Sequence, residues 1–467
     1  MAMGRRKDTQ GDFWIARQDL PSSPGHPFYE RLNELLGEAG FDRFCESSCE
    51  KFYAVKMGRP SVRPGVYFRM LMIGYFEKLD SERQIAWRCS DSLSLRTFLG
   101  LEPQANTPDH SSLSRTRQRI DLETHQAVFD WVLKRLAEYE LLKGRTLGVD
   151  ASTMEANAAM RSIVRKETGE TYREFLTGLA KESGIQTPTS QDLARLDRKR
   201  KGKRCGNDEW HNPNDPDAKI TKMKDGRTHL AYKPEHAIDL DTGAIVAAEI
   251  HPADQGDTTT LSGTLVRATE SLREVRDDAT VSAETDGLVV EEVVADKGYH
   301  SSETLVDLEE IDLRSYISEP ARGRRRWTAK DPRQRAFKQA EQAAVYGNRR
   351  RQKGDRAKRL HRKRGELVER PFDHVLDDGG MRRTHLKGRQ KVAKRYLIHT
   401  AAFNLGLIMR QLTGFGTPKG WADGLGGLLL RFAGRLWAAW ARQRRLSGVL
   451  RLVVAPESTS TGRALAA

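Results

Sequence analysis

From Pro27 to about Tyr139, apolar residues recur at three- and four-residue spacing, the period of helices buried on one face. Phe28, Leu32, Leu35 and Leu36 set the first stripe, and Pro64 is placed to open a helix over Gly65–Lys78. Asp80 or Ser81 predicts a cap for Glu82–Cys89, Ser92–Leu99 follows, and Asp109 with Ser111 and Ser112 starts Leu113–Ile120. That last predicted helix carries Arg115, Arg117 and Arg119. Short helices joined by tight turns, the last arginine-rich, fit a helix-turn-helix DNA reader or a plain helical bundle with a basic face. Residues 1–25 are polar and predict a flexible lead into this helical, DNA-binding domain at 26–140.

The period changes at Gly144. Thr146–Asp150, Leu230–Asp239 and Ala244–His251 read as strands, the last two joined by the turn Asp241-Thr242-Gly243. A helix at Asp257–Glu274, a strand at Val293–Asp296, a helix at Ser302–Glu310 and a strand at Leu313–Ile317 complete a βββαβαβ order. That order matches an α/β ribonuclease-H-like core over 141–412, a mixed sheet with helices on both faces. In that fold the first and fourth strands are neighbours, and ligand sites prefer the carboxyl edge of such sheets. An insertion at about 155–227 holds a polar helix (Ile163–Lys181), a basic run (Arg198 to Arg204) and the loop Asn212–Asp217. The basic run fits either DNA contact or a solvated loop. Lys394–Leu412 is apolar on one side and predicts a helix packed on the sheet. The tail, 413–467, contains an amphipathic stretch with Leu425, Leu429, Phe432, Leu436, Trp437 and Trp440, flanked by Arg442, Arg444 and Arg445. It suits a second subunit, DNA or its own chain equally.

Charge sharpens the picture. The chain has a net charge of +15 over 467 residues. The stretch Ala321–Arg364 holds eighteen Lys and Arg against Asp331, Glu341 and Asp355, and so carries an excess equal to that of the whole protein. A one-sign block of this density points to a nucleic-acid surface rather than a solvated helix face, which interleaves both signs. Its Trp327 suits either stacking on an unpaired base or a place in the core. Cys45, Cys49, Cys89 and Cys205 form no zinc set. So few cysteines, no signal-peptide core in Met1–Phe13 and no long uncharged apolar run predict a soluble cytoplasmic protein.

Three acids stand where metal chemistry would use them. Asp150 ends the strand Thr146–Asp150, and Asp296 follows Val293-Val294-Ala295 ahead of Gly298. Glu369 lies in Leu367-Val368-Glu369-Arg370-Pro371-Phe372, just after the basic block. Carboxylates are the ligands Mg²⁺ prefers, and two such ions about 3.5–4 Å apart activate the attacking oxygen and stabilise the leaving one in phosphodiester chemistry.

With Gly148-Val149-Asp150-Ala151-Ser152, Ala295-Asp296-Lys297-Gly298-Tyr299, Val368-Glu369-Arg370-Pro371-Phe372, Gly379–Arg383, Leu386-Lys387-Gly388 and Asn404-Leu405 in this order, the chain resembles bacterial insertion-sequence transposases of the Asp-Asp-Glu class, from about Pro27 to Arg410. The resemblance implies that Asp150, Asp296 and Glu369 bind two Mg²⁺ ions, Mn²⁺ substituting. It also implies end cleavage and strand transfer at terminal inverted repeats and target DNA, by a homodimer. A related Tyr-Arg-Glu-Lys signature is absent as written, since Gly365 and Leu376 occupy its Arg and Lys positions around Glu369. Glu366, with Arg362 four residues before it, is the runner-up for the third acid. Arg349, Arg350, Arg351, Arg364, Arg370, Arg382 and Arg383 join the three N-terminal arginines as expected DNA contacts. An Mg²⁺ nuclease of the same fold and a non-catalytic DNA-binding derivative are the alternatives.

Overall fold

The computed structural model describes residues 25–54, 61–102, 104–199, 206–223, 226–281, 285–321, 323, 325–329 and 331–423. The expected flexible lead, Cys205, most of the Arg198–Arg204 run and the amphipathic Leu425–Trp440 stretch lie outside them.

Among the described residues, seven α-helices come first: α1 (Pro27–Glu38), α2 (Phe41–Cys49), α3 (Pro64–Phe76), α4 (Glu82–Asp91), α5 (Leu93–Phe98), α6 (His110–Arg119) and α7 (Leu122–Glu138). Four of their starts follow from Ser or Asp caps. Ser81, Ser92, Asp109 and Asp121 each accept a hydrogen bond from the backbone N–H three residues on. Gly40, in the left-handed region at φ 68°, turns the chain between α1 and α2. From Gly65 to Phe76 every residue of α3 is buried, so α3 is the centre of this region rather than one of its faces.

The sheet comprises β1 (Thr146–Ala151), β2 (Met154–Glu155), β5 (Lys219–Lys222), β6 (Thr228–Asp239), β7 (Ile245–Pro252), β8 (Glu292–Ala295) and β9 (Arg314–Ile317). Its order is β2-β6-β1-β8-β9, with β5 and β7 also on β6. The strands β1, β8 and β9 run parallel, while β6 is antiparallel to β1. The protein is thus mixed α/β with a helical N-terminal region, and the first and fourth of the predicted strands are paired neighbours. The insertion holds α8 (Tyr172–Glu182), α9 (Ser190–Lys199) and a small ladder, β3 (Val164–Arg165) with β4 (Trp210–His211). The helix expected at Ile163–Lys181 therefore starts nine residues late. Gly169 has φ 71°, and Thr171 and Glu174 form a capping box that begins the helix only at Tyr172.

Residues 235 and 236 of β6 point to opposite faces. Glu235 meets Thr260 and Thr264 of α10 (Asp257–Arg276). His236 stacks on Phe372 of α13 (Asp355–Phe372), with ring centroids 4.2 Å apart. So α10 and α13 cover opposite faces. The basic block is mostly helical, forming α12 (Pro332–Gln352) and the first half of α13. α11 (Ser302–Glu310) links β8 to β9, and a π-helical turn, Asp373–Asp378, follows α13.

The last described long helix, α14 (Arg389–Thr413), packs on the sheet as expected, the Asn404 amide bonding both backbone groups of Ile245. It packs on α3 and α7 as well. One continuous apolar core therefore runs from Phe28 through the sheet to Met409. No described helix is long and apolar enough to cross a membrane.

Gly148 of β1 is a point of close approach to α13. A Cβ there would lie 2.6 Å from Leu240 Cδ2 and 2.8 Å from Val368 Cγ2. Gly148→Ala should push α13 off the sheet and destabilise the protein by about 1–3 kcal/mol, read as a lower urea midpoint. An unchanged midpoint would show that α13 yields freely.

Candidate active site

The register of β1 against β8 pairs Val149 with Ala295, so Asp150, still in β1, and Asp296, the residue after β8, lie side by side at the sheet's carboxyl edge. Asp150 Oδ1 accepts the Ala151 N–H at 2.8 Å, and its Oδ2 accepts from Arg364 Nη1 at 2.9 Å. Burial raises the Asp150 pKa, the Arg364 guanidinium opposes that rise, and the neighbouring Asp296 charge adds to it. Asp296 Oδ1 accepts the Gly298 N–H at 2.8 Å, which folds Lys297–Tyr299 into a 3₁₀ turn. A Cβ on Gly298 would lie 2.4 Å from Asp257 Oδ2, so the start of α10 crowds the same turn and a side chain there would have to displace the Asp257 carboxylate.

The third candidate acid, Glu369, sits on α13. Leu360, Arg364, Val368 and Phe372 make the inward face of this helix, at four-residue spacing. Lys363 bonds Asp241 and Leu367 lies against Gly243, so that flank looks to the β6–β7 turn, at the far end of β1. Glu369, about 200° round the helix from Leu367, falls on the opposite flank, toward the carboxyl edge. Glu366 instead points outward, its side chain 65% exposed and 3.5 Å from Arg370. Among the described residues, no three His, Cys, Asp or Glu side chains come close enough to hold a metal ion. Asp150 and Asp296 are brought together. Glu369 is exposed and does not close on them, and Arg364, just over one turn before it, occupies the Asp150 carboxylate.

The expected DNA contacts divide sharply. Arg115 and Arg119 of α6 are exposed, Arg119 bonding Ser61 and covering the Tyr53 ring. Arg117 is a correction: it is buried in an ion pair with Glu82 of α4, because the inward face of α6 is the one that packs on α4. In the basic block, Arg349 grips Glu319 through two bonds, and Arg351 bonds Ser315, so both brace β9 and its exit rather than standing free. Arg350, Arg359 and Arg362 are exposed and make no ion pair with a described residue. Arg370 pairs with Glu366. Arg382 pairs with Asp377 and reaches toward Ser152 and Thr153, just past Asp150. Arg383 is exposed near Glu155. Trp327 is half-buried against the core, between Arg325 and Tyr346, which favours the packing alternative. Sequence reasoning gives no role to Glu235, Asp257 or Tyr299. An acid within the apolar strand Leu230–Asp239 is the signal that points to Glu235.

A mixed α/β protein with paired acids at the sheet's carboxyl edge and a cationic helix pair beside them has the parts of a nucleic-acid enzyme, and comparison with known families agrees. Residues 16–119 match the family described as "Transposase domain (DUF772)", and residues 184–405 match the "Transposase DDE domain". The second match takes in Asp296 and Glu369 and begins after Asp150. Between them the two matches span the first six helices and most of the α/β region, and the chain belongs to the DDE transposases of insertion-sequence type. No curated protein and no solved structure matches it.

The buried pair Arg117–Glu82 is structural. Arg117→Met should leave Glu82 uncompensated and cost about 3–5 kcal/mol in urea unfolding, whereas Arg115→Ala should stay within about 0.5 kcal/mol of the parent. Equal costs would return Arg117 to the surface.

Proposed function

We propose that this transposase binds terminal inverted repeats through its helical region and, on a ribonuclease-H-like sheet, catalyses Mg²⁺-dependent end cleavage and strand transfer. The observation that carries this reading is the Asp150–Asp296 pair at the carboxyl edge, with the glutamate-bearing helix α13 lying across the same face. The donor set fits the ion. Both side chains are hard oxygen ligands on adjacent strands, and Asp150 already holds a cation in the form of Arg364. Asp150, Asp296 and Glu369 would hold the metal. Two Mg²⁺ ions, or Mn²⁺ in their place, supply the Lewis acidity that activates water or a 3′-hydroxyl and stabilises the leaving oxygen.

The rest is the chain's own work. β1 and β8 fix the two aspartates in register before DNA arrives. Arg364, which bonds Asp150 at 2.9 Å, would on release take the charge of a phosphate brought to that edge. Arg382, held by Asp377 beside Ser152, would grip the backbone on the near side. The exposed cations of α12 and α13 extend that track, positioning DNA without reading its bases. A homodimer acting on paired ends, on DNA in the cytoplasm, completes the reading.

Asp150→Asn, Asp296→Asn and Glu369→Gln should each abolish cleavage and joining of labelled ends in a plasmid target, with end binding intact, while Glu366→Gln stays active. Cleavage without joined product in the parent protein would make it a nuclease, and no Mg²⁺-dependent nicking at all would make it a binding protein.

Replacing Arg350, Arg359 and Arg362 with Ala should weaken binding to terminal-repeat and random DNA by similar factors. The slope of log K against log salt should flatten by at most about 0.9 for each phosphate that is no longer neutralised. Loss of only the preference for the repeat, with the slope unchanged, would make this face a sequence reader.

A further inference from the structure

Glu235 is a fully buried carboxylate in the middle of the sheet, on the face opposite the acidic pair's helix. Its Oε1 accepts from Thr260 Oγ1 at 2.7 Å and from the Tyr299 hydroxyl at 2.8 Å, with Lys233 Nζ at 3.8 Å. Its Oε2 accepts from the Thr264 hydroxyl and lies 3.6 Å from His251 Nε2. Burial alone would raise its pKa, but bonds from His251, Thr264 and Thr260, with the Lys233 charge, hold it below the ordinary range. An ionised group in the interior costs several kcal/mol of desolvation unless every lone pair is used. Here five side chains from β6, β7, α10 and the turn after β8 converge on it.

One of the five is linked directly to the acidic edge. Tyr299 closes the single turn Asp296-Lys297-Gly298-Tyr299, and its ring is buried. The bond from its hydroxyl to Glu235 therefore fixes the turn whose first residue is Asp296. The same cluster braces the turn from the other side. Lys233 bonds Thr260 at 3.0 Å and Asp257 at 2.6 Å, and Asp257 abuts Gly298. Nothing about packing alone requires a charge there, since apolar side chains of similar size would fill the space at lower cost.

We propose that Glu235 is a positioning residue for Asp296: through the Tyr299 hydroxyl, its buried carboxylate sets the turn that aims Asp296 at the metal. The inference rests on the reading above that Asp150 and Asp296 hold the ion. Partners that orient a ligand typically change metal affinity by about 10–100-fold when removed.

Two conservative variants separate positioning from plain stability. Tyr299→Phe and Thr264→Val each delete one bond to Glu235, but only the first touches the Asp296 turn. In the full-length protein, Mn²⁺ titration followed by electron paramagnetic resonance should show at least about tenfold weaker binding for Tyr299→Phe. Thr264→Val should bind Mn²⁺ within about twofold of the parent, although its melting temperature falls by as much or more. Amide exchange at Gly298 should accelerate in Tyr299→Phe alone, a readout that needs no metal. Equal Mn²⁺ affinity in Tyr299→Phe and the parent, or equal losses in both variants, would overturn the inference while leaving the metal reading in place. Undiminished Mn²⁺ binding by Asp296→Asn would instead remove the metal reading, and this inference with it.

Discussion

The parallel pairing of β1 with β8 is the constraint on which the rest depends. Both strands are apolar in their middle, at Leu147–Val149 and Val293–Ala295, and the register leaves Asp150 and Asp296 adjacent at the sheet's carboxyl edge. Two carboxylates so placed repel each other, and partial burial makes that repulsion stronger than it would be in water. The structure offsets this with Arg364 on Asp150 and the Gly298 N–H on Asp296. Arg364 can reach only because α13 lies hard against β1, and α13 can lie there only because residue 148 has no side chain. Glycine, arginine and aspartate thus form one chain of cause from backbone spacing to electrostatics.

The same helix is tied at both ends. Near its start, Arg356 bonds the buried Glu292 at the base of β8, at 3.0 Å. At its end, Phe372 stacks on His236, the partner of Asp150 across β1 and β6. α13 therefore crosses the sheet diagonally, and its flank carrying Glu369 overlooks the acidic edge. In the conformation described, the arginine rather than the glutamate fills the space at Asp150. The Arg364 guanidinium there opposes the rise that burial gives the Asp150 pKa.

The helical region and the sheet share more than a linker. Arg395 of α14 is fully buried, yet it donates to the Leu79 and Asp80 carbonyls at 2.7 Å just past α3. Asp130 of α7 accepts from Ser271 of α10 at 2.7 Å, and burial pushes its pKa above the ordinary carboxylate range. Bonds of this kind put polar groups into a common core, where removal of either partner is costly. A region that resembles a separate reading head in sequence is thereby built into the body that carries the acidic edge.

What can be read from the sequence is what depends on near neighbours. Caps at Ser81 and Asp109, the hairpin around Asp241–Gly243, and the strands ending at Asp150 and Asp296 follow from local sterics and a short hydrophobic period. Even so, the helix start at Tyr172 escapes such a reading, because the periodic pattern runs on through Gly169. The composition of Ala321–Arg364 also shows a block of one sign. Only the tertiary structure decided which cations are free. Arg117 faces Glu82, Arg349 faces Glu319 and Arg364 faces Asp150, the last pair 214 residues apart. Glu235 and Tyr299, 64 apart, are invisible as partners for the same reason. Residue type and local period settle which side chains carry charge and which backbone they sit on. The pairing of those charges depends on which surfaces the core brings together, and no short-range rule contains that information.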